Sequence, residues 1–404
     1  MTTMFKYNYK TIADKDISAL YSDNNNSIKE SLNLTVKKYK YNDSDYGIIK
    51  YNKESLSDEN VDTVGLFRSV IYKNKKIMAI APPKSASYNK FMTQHDINEC
   101  VVEEYVEGTM VNMFYDNDSE EWEIATRSTV GGKTNFIVSS FNNHTFRSMF
   151  LEASNNANFE YDILDKTLCY SFVLQHPKNR IVVPFSQTRI YLTACYRIND
   201  DFTVDVIDVD SIKETLCSTN IQFPKKYTGI EEVYNLTELM SDSFGDYTVV
   251  GFMIHHHNSG MRCKIRNEGT YEYVRKLRGN QPKEQYRYLE LCHTGRLDVY
   301  LSYYPEDIEA FNNYRNQVNS FINTLYQNYV KCFIKKECPL VNYPYQYKTH
   351  MYELHKIYLE KIKPGKVQYT TVMNINIITW YILNLPPAKL MYAINYHHRP
   401  EHLG

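Results

Sequence analysis

The hydrophobic pattern changes period once along the chain, and that change limits the fold more than any other feature. From Leu66 to Arg266 the apolar residues come in short runs rich in β-branched and aromatic side chains, divided by Asn, Asp, Gly or Pro. Such runs read as strands joined by turns. Past Tyr304 the spacing lengthens: Ile308, Phe311, Tyr314, Val318, Phe321, Leu325 and Tyr329 recur at steps of three or four and form one apolar helical stripe. A chain of 404 residues also exceeds the size, about 250 to 300 residues, at which single cores stop growing. The expected class is α+β: antiparallel sheets with interspersed helices over 61–300 and an all-helical domain over 301–404. Residues 1–60 read as a polar lead-in with a helix near Ile28–Val36.

Within the sheet-rich part, strands are expected at Leu66–Tyr72, Lys76–Ala81, Val101–Val106, Thr109–Tyr115, Glu121–Ser128, Leu168–Leu174, Arg180–Pro184, Arg189–Ile198, Thr203–Val209, Thr248–His255 and Met261–Arg266. A helix is expected at Thr145–Ala157, with shorter ones at Ser211–Ser218 and Gly229–Asp242, where Ser211 and Thr228 offer N-cap oxygens. In the C-terminal part, Pro305 beside Glu306 and Asp307 suits the first turn of the long helix. Helices at Tyr347–Lys361 and Val372–Leu383 should follow it, bounded by Pro364-Gly365 and Pro386-Pro387.

A formal net charge of -1 excludes binding of polyanions through bulk charge, so any nucleic-acid site must be a local patch. The eight cysteines contain no CxxC pair and no leader is evident, which fits reduced thiols in a cytoplasmic protein. The most apolar stretch, Val372–Ile394, is broken by Asn374, Asn376, Asn384, Pro386, Pro387 and Lys389, so no membrane association is expected. Thirty-seven tyrosines, with abundant Asn, Lys and Ile and only 14 Gly, fit an AT-rich coding genome such as that of a large DNA virus.

Six short elements carry the functional reading. Tyr105-Val106-Glu107-Gly108-Thr109 is a turn between two strands, and Ser171 to Pro184 encloses Pro177-Lys-Asn-Arg-Ile-Val182. Upstream stand Phe67-Arg68-Ser69-Val70 and Tyr88-Asn89-Lys90-Phe91; downstream, Val250-Gly251-Phe252 and Lys264-Ile265-Arg266. In this order the elements resemble the nucleotidyltransferase motifs of the T-even phage type of ATP-dependent RNA ligase. The resemblance covers roughly Leu66 to Asn280. It implies an adenylyltransferase fold, ATP as cofactor, RNA as partner, and a cavity lined by Arg68, Lys90, Glu107, Gly108, Lys264 and Arg266.

The departures from that pattern fall on charged positions. Tyr105 stands where the family has the lysine that attacks the α-phosphate, and a phenol is a less basic nucleophile for that step. Val173 and Val250 stand at acidic positions, and neither offers Mg²⁺ the hard oxygen donors it requires. Retained cations with lost nucleophile and metal ligands imply binding without ligation, with no well-held metal. An active ligase would need a relocated nucleophile such as Lys90 or Lys133; a structural component of a viral particle is the third reading.

Beside the last motif, Met261 to Tyr288 carries eight basic residues interleaved with tyrosines. Its centre, Arg275, Lys276, Arg278 and Lys283, has the composition of a surface for single-stranded RNA or an RNA end. The C-terminal helices are the expected contact for a protein partner. His255-His256-His257 places two histidines on one strand face, but nothing nearby has the spacing to complete a zinc site.

Overall fold

The computed structural model describes residues 2–12, 15–22, 26–134, 144–227, 245–363 and 372–396. The chain divides into one unit of Met1–Phe136 with Asn143–Lys276 and a second of Ile137–Asn142 with Leu277–Gly404. The α+β class and the helical C-terminal region stand as expected.

The first unit is built on antiparallel sheets. The largest has the order β1-β13-β12-β11-β9-β10, from β1 (Thr3–Asn8), β9 (Thr109–Asp116), β10 (Glu121–Ala125), β11 (Leu168–Gln175), β12 (Arg189–Ile198) and β13 (Thr203–Ile207). A second joins β4 (Leu34–Tyr41), β5 (Ser44–Tyr51), β6 (Val70–Lys73) and β7 (Lys76–Ile80) in sequence order. A third has the order β14-β8-β15-β16, from β14 (Lys226–Tyr227), β8 (Cys100–Glu104), β15 (Gly251–His256) and β16 (Arg262–Arg266). A ribbon of β2 (Thr11–Ile12) and β3 (Lys15–Asp16) completes the set among the described residues.

The β11 strand is buried at every position because the large sheet is covered on both faces. Leu168, Tyr170, Phe172 and Leu174 pack with Met149, Phe150 and Ala153 of the helix Phe146–Asn156. Cys169 joins the other core, with Ile48, Ile71, Phe114 and Tyr196. The helix starts with a reciprocal cap in which the Thr145 side chain accepts from the Ser148 amide and Ser148 accepts from the Thr145 amide. Thr145→Ala is expected to cost about 1 kcal/mol in chemical denaturation.

Several expectations are corrected. Residues 3–51, read as a polar lead-in, supply β1, β4 and β5, and the helix expected at Ile28–Val36 ends at Ser31 before β4 begins. The β4 strand lies at a sheet edge, where exposed lysines such as Lys37 and Lys38 discourage pairing with other chains and also mask the strand pattern. Its hairpin with β5 turns on Asn42 and Asp43, both at positive φ (45° and 60°), the conformation two-residue hairpin loops require. At Ser211–Ser218 there is only a short turn, Val209–Ile212, and Gly229–Asp242 lies outside the described residues. Arg180–Pro184 is not a strand, because the amides of Val182 and Val183 both donate to the Glu107 carboxylate (2.9 Å each) and are unavailable to a ladder.

In the second unit the helix Ile308–Tyr329 buries Phe311, Tyr314, Val318, Phe321, Leu325 and Tyr329, as the stripe implies, while Ile308 is exposed. Pro305–Asp307 forms the tight turn that leads into it. Asp307 accepts hydrogen bonds from Tyr300 (2.5 Å) and Arg287 (3.1 Å). The helices Tyr345–Ile357 and Ile375–Leu383 match expectation within a few residues, and Pro387–Ile394 follows. No described helix is long and apolar enough to cross a membrane.

Candidate functional site

One wall of a large cavity in the first unit is the third sheet, and its register decides which side chains face inward. Val101 pairs with His255 and His255 with Arg262; Glu103 pairs with Met253 and Met253 with Lys264. The Tyr105 amide donates to Gly251 O (3.0 Å), and Gly251 pairs with Arg266. Cross-strand partners share a face. Glu103, Tyr105, Met253, His255, Arg262, Lys264 and Arg266 accordingly line a cavity of about 880 Å³, a volume suited to a small-molecule ligand. The opposite face carries Val102, Phe252, Ile254 and Cys263, packed with Phe91 of the helix Tyr88–Gln94.

Cations crowd this cavity. Arg68, Lys84, Arg127, Arg262, Lys264 and Arg266 all line it. Backbone carbonyls hold several in place: Arg68 Nη1 donates to Pro82 O (3.4 Å), Arg262 Nε to Pro83 O (2.8 Å) and Lys84 Nζ to Ser85 O (3.1 Å). The Arg266 guanidinium donates to the Tyr105 hydroxyl (3.1 Å) and lies 3.5 Å from Glu272. Among the described residues, Arg68, Lys84, Arg262 and Lys264 form no ion pair with a carboxylate. Burial, then Arg266, Lys84, Arg68 and Arg262 nearby, hold the Lys264 ammonium down to about 8, and burial lowers Arg68 to about 10.

Two loops identified from the sequence interlock at the cavity's edge. Besides the two bonds to Glu107 Oε1, Gln175 Nε2 donates to Glu107 O (2.9 Å) and Asn179 Nδ2 to Thr109 Oγ1 (2.7 Å). Glu107 is 6% exposed and burial pushes its carboxyl up, against the pull of those amides. Among the described residues Oε2 meets no hydrogen-bond partner, while the nearby Tyr271 phenol also favours the charged carboxylate. Gly108 sits at φ 153°, and a Cβ there would lie 2.5 Å from Leu174 O. Val173 and Val250, each 7% exposed, line the same cavity.

Of the expected residues, Arg68, Tyr105, Glu107, Gly108, Lys264, Arg266 and Arg275 line the cavity. Lys90 does not, because its ammonium is held by Asp62 (2.5 Å) and Asp58 O. Lys133 lies over the Tyr41 ring, 4.6 Å from its centroid, away from the cavity. Arg275 is tied to Glu272. Arg278 is only 5% exposed, among Arg287, Tyr300 and Tyr304, so its guanidinium is withdrawn from any RNA surface. Lys276 and Lys283 are exposed. Lys84 and Glu103 also line the cavity without a sequence signal: a lone lysine after Pro82-Pro83, and one glutamate among several, carry no motif. Burial raises Glu103 to about 7 and lowers His255 to about 3, so their 3.5 Å contact lacks an imidazolium. His256 instead stacks on His95, 4.0 Å between centroids, and faces Glu99 (3.3 Å).

Against known proteins, no family model matches. The RNA ligase of Rhodothermus phage RM378 is 30% identical over 95 residues, 22% of this chain and 21% of that protein. This stretch of the chain is similar to an RNA ligase. The chain spans about a fifth of that relative's length. Two forms of an archaeal ATP-dependent RNA ligase align at 13% and 11% identity, with TM-scores of 0.39 and 0.41. They cover 65% and 74% of this chain, which matches 64% and 79% of theirs. A Naegleria gruberi RNA ligase mutant with ATP and Mn aligns at 10% identity and TM-score 0.32, over 63% of this chain and 82% of its own.

Proposed function

We propose that this chain is an RNA-ligase-like protein whose cavity binds ATP or the phosphorylated end of a single-stranded RNA, without forming an adenylate at position 105. The observation that carries the reading is the wall of Arg68, Lys84, Arg262 and Lys264, buried to different degrees and paired with no carboxylate among the described residues, beside the Tyr105 hydroxyl that Arg266 engages. Crowded like charges disfavour one another unless an anion joins them, and guanidinium forks match phosphate oxygens. Val173 and Val250, in place of acidic groups, support binding without turnover. Exposed Lys276 and Lys283 are proposed to contact the RNA chain, and the C-terminal helices a protein partner. Calorimetric titration with ATP tests this. Wild type should bind, and Arg266→Ala should bind about tenfold more weakly or worse. No binding to wild type contradicts the proposal.

Lys264 favours a second reading, in which its amine, held at about 8, is the relocated nucleophile of an active ligase. A covalent label from ATP on wild type, absent from Lys264→Ala, would establish it. Under either reading binding depends on pH. Below about 8 Lys264 is an ammonium and attracts phosphate; above it that attraction is lost, and a bound anion restores it by drawing in a proton. ATP affinity should therefore fall about tenfold between pH 7 and 9.5, and Lys264→Gln should flatten the profile.

A further inference from the structure

The ligase resemblance implies Mg²⁺ to compensate the leaving pyrophosphate, and the oxygen donors of this cavity do not fit such an ion. Mg²⁺ demands near-octahedral hard oxygen ligands. Four carboxylates line the cavity: Asp58, Glu103, Glu104 and Glu107. Three of them already meet a partner, and Glu107 is engaged through one oxygen alone. Asp58 accepts from the Ser87 amide (3.2 Å) and hydroxyl (2.6 Å), and Glu104 from the Lys225 amide (3.3 Å). Glu107 Oε1 holds the backbone of Val182 and Val183, and Glu103 faces His255. Val173 and Val250 contribute no oxygen. Among the described residues, no group of three or more His, Cys, Asp and Glu could hold a metal.

The positive charge that a divalent ion would bring is already present as side chains. We infer that the cavity takes the metal-free form of a nucleoside triphosphate, with Arg68, Lys84, Arg262, Lys264 and Arg266 in the role of the ion, so that Mg²⁺ competes with the protein for the ligand. The inference rests on the nucleotide-binding reading above. Its physical basis is that Mg²⁺ chelated between phosphates cancels part of their charge. The ion also occupies the non-bridging oxygens that guanidinium and ammonium donors need. A carboxylate-rich cavity gains from the chelated form; one with a surplus of cations loses.

The test titrates ATP into the full chain by calorimetry, once in EDTA and once with saturating Mg²⁺ at matched ionic strength. Affinity should be about tenfold higher in EDTA, the scale of one partly screened charge contact. Equal or tighter binding with Mg²⁺ overturns the inference and leaves the nucleotide reading intact. Absence of ATP binding in both buffers overturns the two together. Lys264→Gln, with folding checked by thermal melting, should lose most of the preference for EDTA; an undiminished preference means the lysine and arginine wall is not its source and overturns the inference.

Discussion

Gly251→Ala is expected to cost about 3 to 5 kcal/mol, a large share of the stability of an ordinary domain. Gly251 opens β15 at φ 133°, a backbone conformation that L side chains rarely adopt. An added Cβ would lie 2.0 Å from Ile265 O and 2.9 Å from Arg266 Cα. Both belong to the paired strand β16, so relief means opening the ladder that presents Lys264 and Arg266 to the cavity. Gly295 is the control: its φ is 67°, but an added Cβ meets nothing within 4 Å. Gly295→Ala should cost about 1 kcal/mol. Urea denaturation of both variants separates strain from collision, and similar losses would refute the steric account.

Lys73→Met should destabilise by a comparable amount, about 3 to 5 kcal/mol, because it leaves Asp116 buried without its counter-charge. Lys73 and Asp116 are 6% and 1% exposed, and the ammonium lies 2.7 and 3.0 Å from the two carboxylate oxygens. Burial alone would raise the Asp116 carboxyl, but hydrogen bonds from Lys73 and Tyr46 outweigh it and hold it below the usual carboxylate range. The stability this confers is present above the ordinary aspartate pKa and lost as pH falls through the depressed one. Removing Lys73 lets the carboxyl rise, so the variant's deficit should shrink as the medium is acidified. Lys73→Met combined with Asp116→Leu should recover part of the loss. A double variant no better than the single one would show that the pair acts through packing rather than charge.

What was legible in the sequence is what a single physical constraint dictates. β11 and the helix Ile308–Tyr329 could be read because burial on two faces, or along one stripe, leaves an unambiguous pattern. The edge strand β4 could not, since its exposed lysines break the alternation. Lys264 and Arg266 were found from their motif, and the register of β15 with β16 puts them in the cavity. Lys90 was expected beside them, yet Asp62 holds it elsewhere, and only three-dimensional proximity reveals that pair. The same holds for Lys84, brought to the wall by a proline-bounded loop, and for Arg278, which burial removes from the proposed RNA surface. Arg180–Pro184 has strand-like residues but surrenders its amides to Glu107, a tertiary contact that local pattern does not encode.

The central claim is that the cavity binds a nucleotide while Tyr105 carries no adenylate. Incubating the full chain with α-labelled ATP, in the presence and absence of Mg²⁺, addresses both halves when each sample is split between equilibrium filter binding and a denaturing gel run at neutral to alkaline pH. Saturable label on the filter with none retained on the gel is the predicted result; a stoichiometric covalent adduct that Tyr105→Phe abolishes, or no label on the filter, would contradict it.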